Sequence, residues 1–155
     1  MNALAIALHG LAATLWIGGM FFAYVILRPT VAQMEPHRRL GLWSGVFQRF
    51  FPWVWVSVLV LLLSGYWLVF MAFGGFATSP VHVHIMHALG WLMVALFVYL
   101  YFKPYPLLRK SVESEDWPAA GAALNRVRHI VLVNLVLGLV LMVIVLAGRY
   151  GLFMG

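Results

Sequence analysis

The chain has no cysteine, which excludes a disulfide, a thiolate metal ligand and covalent c-type haem attachment through Cys-x-x-Cys-His. Charge is scarce as well. Only 9% of the 155 residues are charged, against about 25% in an ordinary soluble domain. The four acidic residues, Glu35, Glu113, Glu115 and Asp116, all fall outside the apolar runs. A carboxylate-based proton relay or cation pathway places Asp or Glu within a membrane helix, so that class is excluded. No nucleophile constellation, phosphate-binding glycine loop or internal repeat is present.

What remains is strongly apolar. Hydrophobic residues make up 65% of the chain, gathered in four runs at about 3–27, 51–74, 81–102 and 129–148. Each is near the roughly 20 residues that span a bilayer as a helix. Barrel strands alternate polar and apolar positions, and these runs do not. The sequence therefore predicts an all-α integral membrane four-helix bundle forming one transmembrane domain over residues 1–155. The first run has no positive segment before it and reads as a retained helix rather than a signal peptide.

The excess of positive charge has a topological pattern. Arg28, Arg38, Arg39 and Arg49 lie between the first and second runs, and Lys103, Arg109, Lys110, Arg126 and Arg128 between the third and fourth; only Arg149 lies elsewhere. Loops on the cytoplasmic side carry the surplus of Lys and Arg. Both termini and the loop Gly74 to Pro80 are thus expected outward, on the periplasmic side of a bacterial inner membrane. This accounts for the basic balance without a nucleic-acid partner. The outward loop is short, so the second and third helices are expected to be antiparallel neighbours. Arg28-Pro29 is expected to end the first helix, and a separate interfacial helix is expected around Leu40 to Phe47. A short amphipathic lead-in is expected before the last run.

Ionisable side chains near the apolar runs mark candidate sites. The run from Val81 to Trp91 carries His82, His84 and His87 at its outward end. On a helix His84 and His87 share a face that continues to Trp91. The first run carries His9, on a stripe with Ala13, Trp16, Met20 and Tyr24. At about 1.5 Å of rise per residue, His9 and His87 both lie roughly 9 Å inside the outward surface. Met142 on the last helix and Tyr66 and Trp67 on the second fall at a similar level. His37 reads as a solvated loop residue and His129, beside Arg126 and Arg128, as interfacial. Asn134, on a stripe with Gly138, Met142 and Arg149, is expected to hydrogen-bond between helices.

Three chemistries suit these residues. Histidines on two helices at one level can ligate a haem b: His9 and His87 as axial ligands, His84 on a propionate or in the outer shell, Trp16 and Trp91 along the rings, and Arg149 on a propionate. That reading implies electron transfer or a haem-dependent oxidoreductase, with a redox partner or quinone. Alternatively, imidazole and thioether donors suit copper, held by His9, His87 and His84 with Met142, and with His82 or Met86 nearby. The third reading is structural, each imidazole bonding across helices. Membrane lipid surrounds the bundle in every case, and a homo-oligomer is compatible with each.

Three motifs carry a family resemblance: His9-Gly-Leu-Ala-Ala-Thr-Leu-Trp16-Ile-Gly-Gly-Met20, then Arg49-Phe-Phe-Pro52 with Gly65 near the end of the same helix, and Arg128-His-Ile-Val-Leu-Val-Asn134. They resemble the small CopD-like membrane proteins, and more distantly the HemJ type of protoporphyrinogen oxidase. The HemJ resemblance implies haem b ligated from His9. The His-x-Lys pattern of that family corresponds here to His84-Ile-Met86, where the lysine is missing. The CopD resemblance implies copper handling at the outer face of the inner membrane.

Overall fold

The computed structural model describes residues 1–149, with the side chain of Arg149 outside that description. Its described residues are helical or turn, and four rods are long and apolar enough to cross a membrane: Asn2–Thr30, Pro36–Met71, Val81–Glu113 and Trp117–Gly148. The chain is therefore a multi-pass helical membrane protein. Leu63, Val143 and Leu4, each at least 65% exposed, point away from the bundle, where lipid takes the place of water.

The first rod joins α1 (Asn2–Phe21), a π-helical turn (Phe22–Leu27) and α2 (Arg28–Thr30). It does not stop at Leu27, as Arg28-Pro29 led us to expect. The Arg28 N–H bonds the Ala23 carbonyl, five residues back. This wider register precedes Pro29, whose missing N–H would leave a gap in an α ladder.

The second rod, α3 (Pro36–Met71), begins well before residue 51. The expected interfacial segment is its first turns. Leu40, Trp43, Phe47, Phe51, Val54 and Val58 form one buried stripe at steps of three and four, so a single straight helix buries all of them. Pro52 lies inside it on the exposed face. Beyond α3 the chain turns at Gly74 and Gly75, with φ of 77° and 119°, values that glycine alone adopts without strain. A short 3-10 turn (Phe76–Thr78) leads into α4 (Val81–Phe102).

Pro104 opens α5 (Pro104–Glu113), an amphipathic helix that buries Tyr105, Leu108 and Ser111. The final helix α6 (Trp117–Arg149) starts twelve residues before the expected 129. Its supposed lead-in is the same helix, because Ala120, Ala123, Leu124 and Val127 continue the buried stripe into Val131 and Leu135. Asp116 caps it, accepting the Ala119 N–H at 3.1 Å, which satisfies one of the free donors of the first turn.

The rods pack as α3 on α1, α1 on α6 and α6 on α4, with α5 folded against α6. Contrary to the expectation from the short loop, α3 and α4 do not approach closely along their backbones. They meet through large rings instead. Trp55 and Phe51 contact Phe97 with ring centroids 5.2 and 5.6 Å apart, and Tyr66 contacts His87 at 5.5 Å. Near Phe97 the space is filled by aromatic side chains, and toward the Gly74–Gly75 turn it opens into a cleft.

Candidate functional site

The cleft has an empty volume of about 820 Å³ including its mouth, and all four rods contribute to its wall. His9 and Trp16 come from α1, Gly65 and Tyr66 from α3, Met86, His87, Trp91 and Met93 from α4, and Gly138 and Leu141 from α6. The two histidines placed at one depth by helical rise thus line one cavity.

His9 is held by its neighbours on α3. The Ser64 hydroxyl donates its single hydrogen to the Val60 carbonyl at 2.5 Å, and its oxygen lies 2.9 Å from His9 Nδ1. A hydroxyl has one donor, so Ser64 accepts from Nδ1–H. This fixes the proton on Nδ1 and leaves the Nε2 lone pair available. Ligating imidazoles are oriented in this way through their second nitrogen. Gly65 makes the geometry possible: a Cβ there would lie 3.2 Å from His9 Cε1, so any larger residue pushes on the ring.

His87 is positioned by packing. Its ring contacts Phe76, Tyr66 and Trp91 edge-on, with centroid distances of 4.9, 5.5 and 6.4 Å. The Trp91 indole N–H donates to the Tyr66 hydroxyl at 3.3 Å, tying α4 to α3 at the cavity wall. Buried Asn134 donates from Nδ2 to the Met93 carbonyl at 3.2 Å, the interhelical bond expected of it. That bond fixes α4 against α6 at the Met93 wall.

Other expected residues are placed differently. His84 is exposed on α4, outside the lining, with its ring 6.2 Å from Phe76. Met142 is half-buried and also outside the lining, although Gly138 and Leu141 of its helix belong to it. His82 is likewise not part of the wall. The proposed role of Arg149 lies outside the described residues. Ser64 and Met93 were not singled out as site residues in the sequence. Ser64 carries no signal of its own there, and Met93 is one apolar residue among many.

No three His, Cys, Asp or Glu side chains converge among the described residues, so a metal held in this cleft needs thioether donors as well. Met86 and Met93 line the same wall as His9 and His87. Imidazole plus thioether is a soft donor set that suits copper in its reduced form, whereas hard oxygen-seeking ions prefer carboxylates. The residues present fit copper in this respect.

Fold and lining together define a helical membrane protein with a soft-donor cleft between its spans. The family model for copper resistance protein D (CopD) matches residues 44–147, more than half of the chain, and the chain belongs to that family. The match includes Ser64, Tyr66, Met86 and His87 and leaves out α1 with His9. It supports the CopD resemblance and not the HemJ one. No curated protein and no solved structure matches the chain.

Proposed function

We propose that this protein handles copper in a bacterial inner membrane, taking the ion as cargo into the cleft through His9 Nε2 and His87 with thioether support from Met86. The observation that carries the reading is that His9, His87 and Met86 line one cavity in a CopD family member. Ser64 holds the His9 ring in the tautomer that presents Nε2. His87, caged by aromatic rings, needs no rotamer search to meet the ion.

The orientation follows from the charge pattern, with nine of the ten Lys and Arg residues toward the ends of the four rods that lie away from the cleft, on either side of the joints at 31–35 and 114–116. The positive-inside rule puts that end in the cytoplasm. The cleft then opens on the periplasmic side, where incoming copper would reach it.

Haem b on His9 and His87 was the reading the histidine spacing first favoured; the family match and the thioether-bearing wall favour copper instead. The deciding experiment is metal analysis and absorption spectroscopy of the purified protein loaded with reduced copper. Stoichiometric copper with no Soret band supports the proposal. A Soret band at stoichiometric haem overturns it.

A further inference from the structure

A second site lies at the other end of the bundle, about 28 Å from His9 by the rise of the first rod. Arg28 of the first rod and Arg128 of α6 meet there. The Arg28 guanidinium stands 4.8 Å from the Tyr24 ring centroid, and that of Arg128 stands 5.2 Å from the Trp43 ring centroid. Arg28 and Arg128 line one crevice between their rods. Arg39 donates from Nη1 to the Ala32 carbonyl at 3.1 Å.

No carboxylate balances these charges among the described ion pairs. Glu35 pairs with His37 and Arg38 at 3.4 and 3.5 Å, and Glu113 with Arg109 at 3.1 Å. Asp116 caps α6. Meanwhile Arg39 Nε, Arg128 Nε and Trp43 Nε1 are buried donors with no partner. Buried donors are almost always paired. A small crevice, about 210 Å³ of empty space including the open solvent at its mouth, is walled by Tyr24, Arg28, Trp43 and Arg128 among others.

We propose that a phosphate-bearing anion binds at the mouth of this crevice, its oxygens accepting from the Arg28 and Arg128 guanidiniums. Planar guanidinium donors match phosphate oxygens, and basic pockets between membrane helices at the cytoplasmic side take anionic lipid headgroups. The phosphate belongs either to an anionic phospholipid or to a soluble ion. The site is independent of the copper cleft and stands if that reading fails.

The test uses the full chain, delipidated in neutral detergent. Binding is measured by native mass spectrometry and by thermal unfolding. One arm adds phosphatidylglycerol with phosphatidylcholine as control, and the other adds inorganic phosphate with chloride at equal ionic strength. Binding in the first arm alone assigns a headgroup, and binding in the second assigns the soluble ion; either supports the site. Arg128→Gln and Arg28→Gln are each expected to weaken it about tenfold or more, because each removes a charged donor to the phosphate oxygens. Arg126→Gln, an exposed neighbour on α6, should leave it unchanged. Arg28 is itself exposed, so its variant remains informative if Arg128→Gln does not fold. No binding in either arm, or binding that survives in Arg28→Gln, overturns the proposal.

Discussion

Ser64 Oγ lies 2.9 Å from His9 Nδ1, across the interface of α1 and α3, while giving its own hydrogen to the Val60 carbonyl. One hydroxyl therefore sets both the orientation and the tautomer of the imidazole that faces the cleft. Removing such an outer partner reduces metal affinity by about 10–100-fold. Ser64→Ala is expected to weaken copper binding within that range in a chelator competition. Ser57→Ala, buried on the same helix but outside the cleft lining, should leave it unchanged.

Gly65 makes a second, steric prediction. The Cβ of Gly65→Ala would sit 3.2 Å from His9 Cε1, and the ring would have to give by a few tenths of an ångström. Copper affinity is expected to fall. At Gly90, which also lines the cleft, a Cβ meets nothing within 4 Å, so Gly90→Ala should bind copper as the unmodified protein does. Equal affinities in the two variants would remove Gly65 from the account of the site.

The joint between α5 and α6 governs stability rather than binding. Leu108 is fully buried there, whereas Leu63 on α3 is 74% exposed. Truncating a buried leucine costs about 2–5 kcal/mol, while substitutions at exposed positions usually stay within about 0.5 kcal/mol. Leu108→Ala should lower the thermal midpoint clearly and Leu63→Ala hardly at all. Copper stoichiometry of the folded fraction should remain unchanged in both.

These expectations show which parts of the molecule the sequence displays. The four spans were legible because their length and apolarity follow directly from the thickness of a bilayer. That His9 and His87 would face a common space was legible because helical rise is constant, and both line the cleft. Helix starts were not: residues 36–50 and 117–128 are too polar to span a membrane, yet their buried stripes run in phase with the spans that follow. The pairing of α3 with α4 was misjudged from the short loop, because Tyr66, Phe76, His87 and Trp91 are too bulky to let those backbones close. Ser64 was invisible as a partner, since its role depends on the crossing of α1 and α3. His84, which matches the histidine of the HemJ pattern and was expected on a propionate or in the outer shell, is exposed, while His87 lines the cleft.

Orientation is checked by reporter fusion at Gly155. With the basic ends of the spans in the cytoplasm, a reporter active only in the periplasm should be active and a cytoplasm-only reporter silent. The opposite result would put the copper cleft on the cytoplasmic side.

The most direct measurement is the affinity for reduced copper of the purified protein and of three single variants, by competition with a chromogenic chelator. We expect one copper per chain. His9→Ala and His87→Ala should each weaken binding by more than about a hundredfold, beyond what loss of an outer partner causes. His84→Ala, exposed and outside the lining, should bind like the unmodified protein. Full copper affinity in both His9→Ala and His87→Ala would contradict the cleft as the copper site.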